Sequence, residues 1–442
     1  MTKEECKQRV TAAIQAHKEE IFALAESVFC EPELGFKETK TAAKIAAFFA
    51  KHNIPAEQGL ALTGVKGRLK GRSSGRTIAV LGELDAVICH EHPAASSETG
   101  ATHACGHHAQ LAAMAACAIG LAESGVMQEL DGDVVPFAVP AEEYVEIEYR
   151  NRLRTEGKLG FLAGKAELIR LGAFDDIDMS MMMHLSTTGE GGRLVQVGGT
   201  SNGFIGKLIR YKGREAHAAG APHEGVNALN AAMLAMMAVH AQRETFRDED
   251  HVRFHPIITK GGDLVNVVPS DVRLESYVRA RTVPAIVDAN VKVDRALQAG
   301  ALAIGAEVEI TDLPGYLPLS NDASLSALLR ENAAALVGAD KVEELDHHAA
   351  STDMGDLSHI MPVTHPWIGG VSGNAHTRDF CVSDPDMAYL VSAQAMAHTI
   401  IDLLYDHAAE AETILADYTP PMTRESYVKF WEDIAAKKQE KY

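Results

Sequence analysis

The sequence predicts an α/β domain, a largely parallel sheet covered by helices, interrupted by a smaller α+β domain. Three observations predict it. Helix and strand signals alternate through roughly the first two hundred residues. Apolar strand-like runs there end in residues able to do chemistry: Glu83 and Asp85, then Glu142 and Glu143, then His184. Near residue 200 the order changes to β-α-β-β-α-β, that of a ferredoxin-like domain.

K-E-E-C-K-Q-R-V-T-A-A-I-Q-A-H-K-E-E-I-F-A-L-A has apolar residues at helical spacing, and K-E-T-K-T-A-A-K-I-A-A-F-F-A-K predicts a helix closed by His52 and Asn53. T-I-A-V-L-G-E-L-D is a short apolar run of the kind that forms a buried parallel strand. The stretch T-H-A-C-G-H-H-A-Q precedes an Ala-rich helix ended by Gly125, and V-V-P-F-A-V-P-A-E-E and M-S-M-M-M-H-L-S are further strands. The inserted domain, placed at 199–312, begins with the strand G-F-I-G-K-L-I-R-Y and a Met-rich helix (Met233, Met236, Met237). The strands V-R-F-H-P-I-I-T-K and R-L-E-S-Y-V-R-A-R, a helix and the strand A-E-V-E-I-T complete it. P-W-I-G-G-V and D-M-A-Y-L-V-S-A-Q-A-M-A-H-T-I-I-D-L-L resume the first pattern, so the main domain covers 1–198 and 313–442, with a helical tail at about 410–442. Met181 to Met183 and the methionines of the inserted helix are expected in the core.

Composition narrows the function. The chain has 442 residues with 41 Lys and Arg against 61 Asp and Glu, a net charge of −20, which argues against nucleic acid or an anionic membrane as partner. No apolar run reaches roughly 18 residues, so a membrane-spanning helix is not expected. The N-terminus carries no apolar signal segment, and the six cysteines lack C-x-x-C pairing, so reduced thiols and a cytoplasmic location are expected.

Open α/β sheets place their sites outside the carboxyl ends of their strands, so pieces far apart in sequence converge on one cleft. Cys105 and His107 are two residues apart, and on a turn with Ala104 and Gly106 as small spacers both face one way. They suit a borderline-soft divalent ion; the competing reading is a buried thiol beside a helix-capping histidine. Adjacent Glu142 and Glu143 point to opposite sides of a strand end, so one can ligate while the other takes a proton; the competing reading is a solvated helix start. His184 and His376, each following an apolar run, are either ligands or satisfied core histidines.

The motifs L-G-E-L-D-A, H-A-C-G-H, P-A-E-E, His184, G-R-E-A-H-A-A-G-A-P-H-E-G-V-N-A-L, N-V-V-P and A-H-T-R-D-F occur in one order along nearly the whole chain. In that order they resemble the M20 metallopeptidases, and specifically the amidohydrolase branch that includes aminobenzoyl-glutamate, auxin-conjugate and N-acyl amino acid hydrolases. The resemblance implies an aminopeptidase-like (phosphorylase/hydrolase-like) catalytic domain interrupted by a ferredoxin-like lid through which two chains dimerise. It implies two divalent ions per subunit, Mn²⁺ or Zn²⁺, held by Cys105, His107, Glu143, His184 and His376. Glu142 matches the general base, Asp85 the carboxylate that orients a ligand, and His217 a histidine that reaches the substrate oxyanion. Asn266 and Arg279 match lid positions that bind the substrate's carboxylate. The implied activity is hydrolysis of the amide bond of a small N-acyl or N-aroyl amino acid.

Some features depart from that pattern. His108 stands where Asp or Asn is usual and is the histidine of its stretch least expected to bind metal. Cys89, His90 and His92 lie in a longer polar loop where histidines are expected to be solvated, as are His347 and His348. Asp353 and Asp356 fall near the site without a defined role. Competing functions are a dipeptidase, which needs an acidic group for a free α-amine, a catalytically silent metal-binding protein, and an interaction protein that uses its lid as a dimer module.

Overall fold

The computed structural model describes residues 1–186 and 194–436. A six-stranded sheet runs in the order Ala56–Leu60, Gly64–Gly67, Asp131–Val139, Ser73–Glu83, Met179–Met181, Val363–Thr364. The last four strands are parallel, and the first two are antiparallel to their neighbours, so the sheet is mixed. The physical reason is connection length: the tight turn between Leu60 and Gly64 permits only an antiparallel pair, whereas parallel strands need a crossover.

The helix His107–Glu123 is buried along nearly its whole length, which explains its Ala-rich sequence. The helices Lys3–Ala16, Lys18–Phe29 and Ser392–Asp417 and the strand Ser73–Glu83 surround it. The predicted first helix is two helices broken at His17, whose ring meets His52 edge-on at 5.4 Å while Nε2 reaches Glu123 at 2.7 Å. The region Asp386–Asp417 is long and apolar enough to cross a membrane, but 94% of its apolar window is buried inside the protein, so it is a core element.

The second sheet orders its strands as Arg253–Phe254, Asp271–Ala280, Gly203–Lys212, Glu307–Tyr316, with Ile257–Lys260 also on Asp271–Ala280. With the helices Ala228–Ala241 and Val283–Ile304 this is the β-α-β-β-α-β arrangement read from the sequence. The strand V-R-F-H-P-I-I-T-K is split at His255-Pro256, where proline has no N–H to give the ladder. Met181 to Met183 are buried as expected. The lid helix departs from expectation: Met236 packs against the core, but Met233 and Met237 are 53% and 66% exposed.

The C-terminal segment is built of helical stretches packed on the body. Ser392–Asp417 is kinked where Tyr405, Asp406, His407 and Ala408 leave helical geometry, so residues 410–417 belong to the helical stretch beyond that kink, and a further helix, Arg424–Ala436, docks on the body. Tyr427, Trp431 and Ile434 are buried, and Tyr427 Oη donates to Asp356 Oδ1 at 2.8 Å. The final residues of the predicted tail, 437–442, lie outside the described residues. Trp431→Ala is expected to cost about 3–5 kcal/mol through the cavity it leaves. Urea unfolding followed by circular dichroism checks this; an unchanged midpoint would show that the docked helix adds nothing to stability.

Candidate metal centre

Three strand ends and one turn deliver the site. Ser73–Glu83 ends in Glu83 with Asp85 just beyond, Asp131–Val139 leads into Glu142 and Glu143, and His184 starts the short strand after Met179–Met181. The turn is Cys105-Gly106-His107. Gly106 has φ +86°, a left-handed value that glycine adopts without penalty, and a Cβ there would meet Leu185 Cδ1 at 2.6 Å. This turn lets a thiol and an imidazole two residues apart face one cleft, as the spacing predicts.

Three groups of side chains bring their donor atoms within 4.8 Å of one another: Cys105, His107 and His184; Cys105, Glu143 and His376; and Glu83, His107 and Glu142. Cys105 is common to the first two and lies 3.5 Å from His184 Nε2. His107 Nδ1 donates to the Asp85 carbonyl at 2.8 Å, and His184 Nδ1 to the Leu185 carbonyl at 2.9 Å. Each bond fixes the tautomer and leaves Nε2 as the free donor, the usual arrangement of a histidine that binds metal. Asp85 Oδ2 accepts from the Glu143 backbone N–H at 2.8 Å, which ties two of the strand ends together. His376 Nε2 is 2.9 Å from Glu143 Oε1, and its backbone N–H donates to Ala104 O at 2.8 Å. Its φ of +63° is costly for a residue other than glycine, strain of a kind that collects at functional sites.

The electrostatics suit a cation. Burial and Glu143 push the Cys105 thiol up, but His184 and His107 outweigh them and bring it down to about 6. Glu143, then the Cys105 sulfur, hold His376 up at about 11. Burial raises Glu142 well above the usual carboxylate range, helped by the negative charges of Glu83 and Glu143. Among the described residues, Glu83 Oε2, His107 Nε2 and Glu143 Oε1 are buried and make no well-formed hydrogen bond; they face other members of the metal-capable groups, Glu83 Oε2 lying 3.1 Å from His107 Nε2 and Glu143 Oε1 2.9 Å from His376 Nε2. Buried polar atoms are normally paired, so a thiolate, imidazole and carboxylate donor set with orphaned tips fits bound divalent metal.

A cavity of about 300 Å³ opens beside these groups, lined by Glu142, Glu143, His376, Phe204, Tyr277, Arg279 and Tyr316 among others. Arg279 Nη1 donates to Ser351 Oγ at 2.7 Å, and its guanidinium lies over the Phe204 and Tyr277 rings at 5.1 and 5.0 Å. The structure thus gathers Cys105, His107, Glu142, Glu143, His184, His376, Asp85 and Arg279. His217 and Asn266 are not among the cavity's lining residues. Both are exposed on neighbouring lid loops, where Ala218 N donates to Asn266 O at 2.9 Å.

His108 faces away from the donor groups, packed on Phe29 at 5.0 Å and His103 at 5.4 Å; burial lowers it to about 3. His92 is not solvated: it is buried, with Nε2 on Phe380 O at 2.9 Å, whereas His90 is exposed. His347 and His348 are half-buried, because they pair as a short strand with Thr200–Ser201, and His348 meets Trp367 edge-on at 5.4 Å. Sequence reasoning missed Lys165. Its buried ammonium bridges Glu83 Oε1 at 2.6 Å and Asp353, which gives Asp353 its place, while Glu83 Oε2 is 3.1 Å from His107 Nε2. Asp356 anchors Leu317 N and Tyr427 instead. A lysine in the helix-like run G-K-A-E-L-I reads as surface, and no sequence signal pointed to it.

Donors of this kind at the strand ends of an α/β sheet define a metal-dependent hydrolase of amide or peptide bonds. The sequence pattern of peptidase family M20/M25/M40 matches residues 79–402, and the chain belongs to that family. It is 28% identical to a Xaa-Arg dipeptidase of Mus musculus over 91% of this chain and 90% of that one. It is 27% identical to an N-acyl-L-amino acid amidohydrolase of Geobacillus stearothermophilus over 73% of this chain and 82% of the other. A dinuclear metal-binding M20 peptidase of Bacillus subtilis shares the fold, with a TM-score of 0.65 at 22% identity over 88% of this chain and 99% of that one.

Two outcomes are expected. Thiolate absorbance of the metal-free protein, taken as the difference from Cys105→Ala, is expected to rise with a midpoint near pH 6; a midpoint near 9, the unperturbed value, would contradict the electrostatics. Cys105→Ala is expected to lose metal measured by plasma emission, because both donor groups at Cys105 lose a member.

Proposed function

We propose that the chain hydrolyses the amide bond of an N-acyl or N-aroyl amino acid, aminobenzoyl-glutamate-like, with Glu142 as general base. The observation that carries this reading is the juxtaposition of Glu142, the Cys105-centred donor groups and Arg279 around one cavity. Cys105, His107, Glu143, His184 and His376 would hold two divalent ions, Mn²⁺ or Zn²⁺. When bound, these ions supply Lewis acidity to the attacking water and the scissile carbonyl. Asp85 orients His107 through its backbone carbonyl, and Glu143 through its carboxylate. Glu142 Oε2 is 4.0 Å from His107 Nε2, close enough to the cluster to take the proton of the attacking water and return it to the leaving amine. The same burial that raises its pKa makes the protonated form a competent donor for the second step. Arg279 offers a fork for the substrate's carboxylate. His217 from the partner subunit's lid donates to the oxyanion, and Asn266 joins Arg279 on the substrate's carboxylate.

A homodimer through the lid, residues 199–312, is part of the proposal. It is supported by the exposed Met233, Met237, Ile257 and Val265 of the lid, and by the position of His217 and Asn266 outside the cavity of their own chain. A dipeptidase is the second reading, favoured by the Xaa-Arg dipeptidase relative. Among the described residues the cavity speaks against it, because its lining carboxylates there are Glu142 and Glu143, both already engaged, and neither is spare for a free α-amine.

A panel of N-acyl amino acids and dipeptides, assayed with and without added Mn²⁺, tests the reading. Turnover of acyl substrates only is expected; turnover confined to substrates with a free α-amine would favour the dipeptidase. Glu142→Gln is expected to lower kcat by at least about 100-fold with metal content unchanged. Activity near wild type would overturn the base assignment.

A further inference from the structure

We propose that Arg150 is the positioning residue of the acid-pair loop, residues 140–144, holding the backbone that presents Glu142 and Glu143. The inference rests on the base and ligand roles proposed above for those two residues. Arg150 lies on the helix Ile147–Thr155, directly after the loop, and is 1% exposed. Among the described residues no carboxylate lies within hydrogen-bonding distance of its guanidinium, whose acceptors are backbone carbonyls. Nη1 donates to Ala141 O at 3.2 Å and to Leu162 O at 2.7 Å, and Nη2 donates to Glu143 O. The guanidinium carbon lies 5.2 Å from the Phe36 ring centroid and 5.7 Å from that of Tyr144. Gly35 leaves it room: a Cβ there would overlap Nη2 and press on Ala141 Cα at 3.0 Å.

Burying a guanidinium without a counter-ion is costly, and the carbonyl dipoles it meets are what offset the cost. Which carbonyls they are gives the feature its meaning. Two of the three flank or belong to the catalytic pair. Ala141 sits at φ +53°, a left-handed value unfavourable for alanine, so the loop holds its shape only while its surroundings dictate it. Two tyrosines of the second sheet hold further carbonyls of the loop: Tyr316 Oη donates to Glu142 O, and Tyr277 Oη to Tyr144 O. In return Tyr144 Oη donates to Pro314 O at 2.7 Å. From the main domain, Glu38 Oε1 and Asp85 Oδ2 accept from the N–H groups of Ala141 and Glu143 at 2.8 Å each, and Arg150 is the side chain there that holds the loop's carbonyls. Without it the loop can relax, and the carboxylates of Glu142 and Glu143 leave the register that Cys105 and His376 require.

Titration of the metal-free protein with Co²⁺ tests this, since the visible bands of bound cobalt report ligand geometry independently of turnover. Arg150→Lys keeps the charge and loses the fork. It is expected to bind Co²⁺ about 10- to 100-fold more weakly, the usual effect of losing a group that orients a ligand, and to show altered bands. With acyl substrate, kcat is expected to fall further than KM rises. Arg150→Ala is expected to recover cobalt affinity in guanidinium chloride at tens of millimolar, but not in equal sodium chloride. If these variants do not fold, Gly35→Ala carries the test, because it leaves Arg150 in the chain while intruding on the site of Nη2; weakened cobalt binding is again expected. Wild-type affinity and bands in a folded Arg150→Lys, or in Gly35→Ala, would overturn the proposal. So would a folded Arg150→Ala whose lost affinity guanidinium does not restore, since that would leave the arginine a packing role alone. A wild-type chain that bound no cobalt would overturn the metal reading itself and this inference with it, and is told apart because the failure is already present before substitution.

Discussion

The two-residue interval between Cys105 and His107, bridged by a glycine in left-handed conformation, is the constraint on which the rest of the site depends. A side chain at position 106 would collide with Leu185, the residue that follows His184. Closing that gap is what brings the turn against the strand end and sets the Cys105 sulfur 3.5 Å from His184. The same turn holds His376, through the bond from its backbone N–H to Ala104 O, in a backbone conformation it would otherwise avoid. Thus a thiol, two imidazoles and a third histidine from far along the chain are fixed by one tight corner. The helix His107–Glu123 that starts there is packed on nearly all sides, so the corner rests on an element buried along nearly its whole length.

Around that corner, several buried charges face opposite ones. Lys165 is enclosed between Glu83 and Asp353, and this ammonium holds Glu83 at about 2, outweighing the effect of burial. Glu83 in turn stands beside His107 and raises it. Glu143, buried like its neighbour, is brought down to about 2 chiefly by His376, whereas Glu142, with no cation so close, goes the other way. Two adjacent carboxylates therefore have opposite tendencies, one favouring its anion and the other its protonated form. That separation of roles by environment is how paired carboxyl groups divide acid–base labour. Arg150, Tyr277 and Tyr316 donate to the backbone carbonyls beneath these charges rather than to the carboxylates.

The parts of this arrangement visible in the sequence were those with a positional signature. Polar residues at the ends of apolar runs located Glu83, Asp85, Glu142, Glu143 and His184, because a parallel sheet places its chemistry at strand ends. The spacing around Gly106 gave the turn, while the ligand set and the base were assigned by resemblance to the family. Lys165 and Arg150 were not legible, since a cation in a helical stretch looks the same whether its tip meets water or a buried carbonyl. The lid helix Ala228–Ala241 is apolar on every side, so its sequence does not say which methionines face out; Met233 and Met237 do. His347 and His348 read as solvated because the partner that covers them, Thr200–Ser201, lies almost 150 residues earlier in the chain. Helix breaks and the mixed sheet followed from local details, a histidine pair and a tight turn, that periodicity does not register.

The central claim is that Cys105 is shared by two metal positions. Crystals grown with Mn²⁺ and measured for anomalous scattering test it most directly. The account predicts two peaks per chain, one among Cys105, His107 and His184 and the other among Cys105, Glu143 and His376. A single peak held by Glu83, His107 and Glu142, or peaks remote from Cys105, would contradict it.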